Sequence, residues 1–260
     1  MSLPIVLVIV NLEIVLLFGN CGFTHRKFRD RINPWKSRRQ ERIEKENKRG
    51  DGLPMRIYIM RHGETDWNRE NKIQGRVDIP LNENGRELAR ITAEKLKKIP
   101  FAAAITSPLI RAKETAEIIM GDRSAPITED WRIAELAFGQ GEGMQAKVNG
   151  SYVSVFENFF HHPEQYEPLP GGETLRHLCE RTGDFLRDVT QRAEWKDKTI
   201  LVATHGAAMR GILNNVRGES LAHFWMGNLI RNCAVTIVDV IDGVYTVVED
   251  GKVFYETENG

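Results

Sequence analysis

The stretch Tyr58-Ile59-Met60-Arg61-His62-Gly63-Glu64-Thr65-Asp66-Trp67-Asn68, YIMRHGETDWN, passes abruptly from a hydrophobic run to charged and amide side chains. Residues 56–60 form a short apolar run of the kind that suits a buried strand, and the Arg-His pair stands where that strand should end. Two further short apolar runs follow, AAAITS at 102–107 and TILVATHG at 199–206, the last again ending in His-Gly. Helical patterns lie between them. Residues 81–100 place Leu88, Ala89, Thr92, Ala93, Leu96 and Ile99 at helical spacing before Pro100. Residues 108–121 open with Pro108 and close on Gly121. Leu175, Leu178, Cys179, Thr182, Phe185, Leu186 and Val189 repeat at i, i+3, i+4 and i+7. Residues 131–172, rich in Gly, aromatic residues and His, read as an insertion of loops and short helices. The chain closes in β-rich segments separated by Asp-Gly turns.

Strands alternating with helices predict an α/β fold: a mostly parallel central sheet covered by helices on both faces, a three-layer α/β/α sandwich. Such sheets bind ligands beyond the carboxyl ends of their strands. Arg61-His62-Gly63 and His205-Gly206 fall at those ends, and TSPLIRAKET occupies a third strand-to-helix junction.

The 260 residues carry 36 Lys and Arg against 36 Asp and Glu, but the balance is uneven along the chain. Residues 1–54 are basic and the remainder mildly acidic, which argues against a nucleic-acid partner. The three cysteines, Cys21, Cys179 and Cys233, lack CxxC spacing and a His-rich neighbourhood, so neither a disulfide framework nor a zinc site is expected. Cys179 falls on the apolar face of its helix and reads as a small core residue.

Residues 1–54 are expected to stand apart from a domain at 55–260. An apolar run from Leu3 to Phe18, broken by Pro4, Asn11 and Glu13, precedes a basic tract from His25 to Arg49. A secretory signal is disfavoured, because no Lys or Arg precedes the run and no small-residue cleavage site follows it. Two readings stay open: a weak membrane anchor confined to residues 1–20, or an upstream extension that the functional protein lacks, with translation starting at Met55. Both leave the domain at 55–260 in the cytoplasm.

Arg61, Arg111 and His205 would gather up to three positive charges around one point, with N–H groups at helix starts aimed the same way. That arrangement is costly unless an anion resides there. Guanidinium forks match phosphate oxygens in bidentate fashion, so a phosphoryl group is the natural occupant. No Asp cluster, GxxxxGK[ST] loop or metal-ligand spacing accompanies them, so fixed arginine charge would take the part that a magnesium ion plays elsewhere.

The segments RHGETDWN, IQGRVDIPLNENG, SPLIRAKETA, IAELAFGQGEG, PGGET and VATHG occur in the order seen in the histidine phosphatase, or phosphoglycerate-mutase-like, superfamily, which this chain resembles from Met55 to the region of Asp239. The resemblance implies the phosphoglycerate-mutase-like fold, a small phosphorylated substrate, no cofactor and no metal. It implies that His62 is the nucleophile, with a backbone carbonyl holding the proton on its other ring nitrogen. Arg61 and Arg111 would keep His62 neutral through like charge and, with His205, grip the non-bridging oxygens. Glu135 would be the acid/base carboxylate, with Glu64 as the alternative, more suited to a supporting or helix-start role. Asn68, Gln74, Gly75, Arg76 and Gly206 would bind substrate.

Two outcomes share such a pocket, transfer of the phosphoryl group to water or to a second hydroxyl of a phosphoglycerate. Mutases resemble LNERHYG around the acid and carry HGNSLR after the second histidine. This chain has residues 133–139 as IAELAFG and His205-Gly206-Ala207-Ala208-Met209-Arg210, so the phosphatase branch is expected. A phosphoglycerate mutase is the alternative, and a non-catalytic phosphate-binding module a further one. Phe156, Phe159, Phe160 and Tyr166 are expected to pack the insertion more than to line a pocket, His161 and His162 to be surface residues rather than metal ligands, and the substrate and oligomeric state are not specified.

Overall fold

The computed structural model describes residues 53–256 and, outside them, only the two-residue antiparallel strands Ile9–Val10 and Glu13–Ile14. The expected basic tract and most of the apolar run therefore lie outside the described residues. Among the described residues no helix is long and apolar enough to cross a membrane.

Six strands form the main sheet: β1 (Met55–Arg61), β2 (Phe101–Thr106), β3 (Ile127–Glu129), β6 (Thr199–Thr204), β7 (Val235–Ile241) and β8 (Val244–Lys252). A small antiparallel hairpin, β4 (Lys147–Val148) with β5 (Ser151–Tyr152), sits in the insertion. The order across the main sheet is β8-β7-β1-β6-β2-β3. β1, β6, β2 and β3 run parallel, while β7 and β8 are antiparallel additions at one edge.

Helices α2 (Glu83–Leu96), α3 (Ile110–Met120), α5 (Leu175–Gln191) and α6 (Gly206–Arg217) cover the sheet; α1 (Asp66–Arg69) and α4 (Ser154–His161) are short. Successive strand side chains point to opposite faces, so the two halves of each apolar run feed two cores. Tyr58, Met60, Ala104 and Leu201 pack with Leu96, Ala116 and Ile119 of α2 and α3. Ile57, Ile59, Ile105 and Val202 pack with Phe185, Val189 and Ile212 of α5 and α6. The expected three-layer sandwich is present.

The parallel register pairs Ile59 with Val202 and Arg61 with Thr204, which brings the residues after both strands to the same sheet end. One local expectation shifts. Only the Asp242-Gly243 pair, at φ 48° and 77°, makes a hairpin turn; Asp250-Gly251 lies inside β8, where the register slips against β7. Cys179 is half-buried and packs against the core as expected, and burial pushes its thiol up to about 11.

Candidate active site

The turn after β1 carries the first set of side chains. His62 is buried, and its backbone N–H donates to Thr204 O at 2.9 Å, tying the turn to β6. Gly63 passes so close to Gly85 at the start of α2 that a Cβ on Gly63 would lie 2.6 Å from Gly85 O, and one on Gly85 only 2.1 Å from Glu64 O. The glycines of RHGE and NENG are therefore one close backbone approach seen from its two sides. Thr65 caps α1, and Asn68 completes the capping box. Glu64 takes no part in the cleft; its Oε1 accepts from Asn82 and Asn84.

His62 Nδ1 stands 2.6 Å from Gly63 O. A carbonyl can only accept, so the neutral ring carries its proton on Nδ1 and keeps the Nε2 lone pair free. The ring is held well below 6.5, first by burial and then by the like charges of Arg111 and Arg61. The sequence expectation named only the like charges; desolvation is the larger cause.

Arg111, on α3, is fully buried, with Nη1 donating to Val77 O at 2.9 Å and Nη2 to Gly75 O at 2.7 Å. Gly75 offers that carbonyl from φ 53°, and a Cβ there would strike the Glu142 carboxylate at 2.0 Å. Burial lowers the Arg111 guanidinium to about 10, which still leaves it charged at neutral pH. Arg61 donates from Nη1 to Ile230 O at 2.8 Å. His205, after β6, sits with its ring centroid 5.2 Å from that of His62 and its Nε2 2.7 Å from Ser107 Oγ. Burial holds His205 well below 6.5 too, with Arg111 next in effect. Arg61 Nε, Arg111 Nε and His205 Nδ1 are buried nitrogens with no protein partner. Buried polar groups are ordinarily paired, so such a cluster marks a place fitted to accept oxygens.

Glu135 is buried in the loop after β3. Its Oε1 accepts from Leu136 N at 2.9 Å and Ala208 N at 3.0 Å, and its Oε2 from Ala207 N at 3.3 Å. The start of α6 thus meets Glu135, and the start of α3 meets Asp78, whose Oδ1 accepts from Ile110 N at 2.7 Å. At these two helix starts the N–H groups of Ile110, Ala207 and Ala208 are thus taken by carboxylates of the protein.

Arg61, His62, Asn68, Gln74, Gly75, Arg111, Glu135 and Gly206 all line one cleft of about 510 Å³. His205 lies against His62 without lining it. Arg76 is elsewhere: Nη2 pairs with Glu173 at 3.1 Å and Nε donates to Glu135 O at 3.3 Å. Glu173, the acid of PGGET, is buried and also accepts from Arg181 Nε at 2.7 Å, while Arg181 Nη2 reaches Glu135 O at 3.2 Å. Arg76 and Arg181 therefore hold the backbone of the Glu135 loop.

The outer half of the cleft is aromatic. Phe159, Phe160 and His161 of α4 line it with Phe138, Tyr152 and Trp225, whereas Phe156 and Tyr166 are packed in the core beneath. Tyr152 and Trp225 both stack on Phe160, with centroids 4.0 and 5.7 Å from its own. Sequence reasoning missed Phe138 and Tyr152 of the insertion and Trp225 after α6; no period in either segment points to them. His161 is bonded to Glu157, and no group of three His, Cys, Asp or Glu among the described residues is placed to hold a metal ion.

An α/β sheet that gathers two buried histidines, the buried Arg111 and the partly buried Arg61 at its carboxyl end defines a class of protein suited to handling a phosphoryl group. The profile of the histidine phosphatase superfamily, branch 1, matches residues 57–251, and the chain belongs to that superfamily of enzymes. It is 38% identical to an uncharacterized phosphatase of Bacillus subtilis, PhoE, over 62% of this chain and 77% of the relative. It is 29% identical to a probable phosphoglycerate mutase of Salmonella typhi, GpmB, over 71% of this chain and 85% of that one. The solved structure of Bacillus stearothermophilus YhfR superposes with a TM-score of 0.70 at 33% identity, covering 76% of this chain and 97% of that one.

Proposed function

We propose that the chain is a metal-independent phosphomonoesterase that passes a phosphoryl group from a small phosphorylated metabolite through His62 to water. The observation that carries this reading is the 2.6 Å contact of His62 Nδ1 with Gly63 O, which leaves Nε2 as the nucleophilic atom in a cleft with Arg61, Arg111 and Glu135. In the first step the Nε2 lone pair attacks phosphorus, the ester P–O bond breaks and Glu135 gives its proton to the departing alcohol. In the second, Glu135 takes a proton from water, whose oxygen attacks phosphorus as the N–P bond breaks. Arg61, Arg111 and His205 receive the three non-bridging oxygens, the two guanidiniums supplying fixed charge and the neutral His205 ring an N–H donor. Asn68, Gln74, Gly75 and Gly206 border the substrate, and Arg76 acts through the Glu135 backbone. The activity is assigned to residues 55–260, with 1–54 an extension to it.

Two observations favour hydrolysis over mutase action. Ala207 and Ala208 offer Glu135 only their backbone N–H groups, at the positions where mutases resemble HGNSLR. The cations bordering the outer cleft are also engaged: Lys72 is paired with Glu70 at 2.6 Å, and Arg210 donates to Met226 O and Asn228 O. The aromatic wall suits the ester of an apolar alcohol better than the carboxylate of a phosphoglycerate. The test is release of inorganic phosphate from aryl phosphates in the presence of a chelator, with an acid-labile phosphohistidine trapped in the wild type and absent from His62→Ala. Vigorous mutase activity dependent on 2,3-bisphosphoglycerate, with little phosphate release, overturns the reading.

A further inference from the structure

Asn232 lies in the segment leading into β7, far along the chain from the turn after β1, yet its side chain is inserted into that turn. Its Nδ2 is 3.1 Å from His62 O, 3.1 Å from Gly63 O and 3.2 Å from Asn68 Oδ1. The two carbonyls accept only, so the amide nitrogen must be the atom that faces them. Asn68 Oδ1 is fixed in the same way, because it also faces the Thr65 backbone N–H at 3.2 Å, which only donates. The Asn68 oxygen is thereby turned into the turn, and the Asn68 N–H2 group is the part of that side chain left for the cleft it lines.

The backbone of the same segment adds to the grip. Cys233 N donates to Arg61 O at 3.1 Å and to His62 O at 3.3 Å, from a residue held at φ 55°. Tyr255 Oη donates to Asn232 O at 2.6 Å, so the end of the described chain holds Asn232 from behind. A lone amide bridging three acceptors is not required to stabilise β1, whose ladder with β6 and β7 is complete without it. What the amide does hold is the Gly63 carbonyl, the same oxygen that fixes the proton on His62 Nδ1.

We propose that Asn232 is a positioning residue for the nucleophile: it anchors the Gly63 carbonyl that sets the His62 tautomer and orients the Asn68 amide toward the substrate. This rests on the reading of His62 as the phosphoryl acceptor, but the tautomer is measurable without turnover. A rigid anchor matters here because misplacing a reacting atom by about 1 Å costs on the order of 100-fold in rate.

The experiment compares the full chain with Asn232→Ala, Asn232→Asp and Tyr255→Phe. Asn232→Asp keeps the shape but turns an acceptor toward three acceptors; Tyr255→Phe removes only the bond behind Asn232. Ring 15N shifts, assigned by their loss in His62→Gln, report the tautomer. The wild type is expected to show protonated Nδ1 and unprotonated Nε2 at His62. Asn232→Ala and Asn232→Asp are expected to show mixed tautomers and a roughly 100-fold loss in kcat on 4-nitrophenyl phosphate, with KM rising as the Asn68 amide is released. Tyr255→Phe should lie between. If the Asn232 variants keep the single tautomer and lose only thermal stability, the residue is structural and the proposal fails. If the wild type holds the tautomer yet forms no phosphohistidine, the fault lies with the hydrolase reading.

Discussion

The backbone N–H of Ala208 donates to Glu135 Oε1 at 3.0 Å, so the first turn of α6 fixes the position of the carboxyl group proposed as acid and base. Glu135→Gln keeps the shape of that group and removes its proton chemistry. With a poor leaving group such as phenyl phosphate, turnover should fall by about 10²–10⁴-fold. With 4-nitrophenyl phosphate, whose leaving group needs little protonation, a first burst of nitrophenol should survive and be followed by slow release of phosphate. Stopped-flow absorbance measures both phases, and unchanged steady turnover on phenyl phosphate would exclude Glu135 from the chemistry.

His62 and His205 make the protein acid-sensitive. Both are held well below 6.5, first by burial, so the unfolded chain takes up protons near that pH while the folded protein does not. Stability from these rings is therefore complete above about pH 6.5 and is lost as the pH falls from there toward their lower folded values. The slope in that window is about 1.4 kcal/mol per pH unit for each ring. Urea unfolding across the range should show it, and His62→Gln and His205→Gln should each flatten it. A stability flat below the unfolded pKa would show that the rings are protonated in the fold.

The aromatic wall yields a separate expectation. Phe160 stacks with both Tyr152 and Trp225 at the outer cleft, while Phe156 lies in the core below it. Phe160→Ala and Trp225→Ala should raise KM for naphthyl phosphate roughly 5- to 10-fold, the worth of about 1 kcal/mol of aromatic contact. The same variants should leave KM for glycerol phosphate nearly unchanged. Equal effects on both substrates would mean that the wall supports the fold rather than the leaving group.

The sheet was legible because β1, β2 and β6 are buried on both faces and read as unbroken apolar runs between helical patterns. His62, Arg111, Glu135 and His205 were legible through segments whose spacing is tied to strand ends and to close approaches such as Gly63 against Gly85. Other features depend on partners that only the folded chain supplies. Arg76 was expected at the substrate, but Glu173 draws its guanidinium away from the cleft. Asp250-Gly251 has the composition of a turn, yet the Asp250 carboxylate accepts from Arg217 at 2.8 Å and Thr236 at 3.3 Å and settles the pair inside β8. Tyr152 reaches the cleft from a two-residue strand and Trp225 from a turn, both too short to show a period, and Asn232 is an isolated amide whose three acceptors lie more than 160 positions away.

Glu173 and Arg181 supply the last expectation. Glu173 is buried with Arg181 on both its oxygens, at 2.7 and 2.9 Å, and with Arg76 and His177 as further partners. Its carboxyl is held below the usual range despite burial, which opposes that, because the Arg181 guanidinium offsets the desolvation. Glu173→Ala would leave Arg181 buried without its counter-ion, a loss of about 3–5 kcal/mol. Glu173→Gln keeps an acceptor for one guanidinium and should cost less. Because Arg76 and Arg181 both donate to Glu135 O, either change should also lower kcat more than it raises KM, through a displaced Glu135 loop. Urea unfolding and steady-state kinetics on the same preparations separate the two effects. A Glu173→Gln protein that is destabilised but keeps full kcat would show that the ion cluster serves the fold alone.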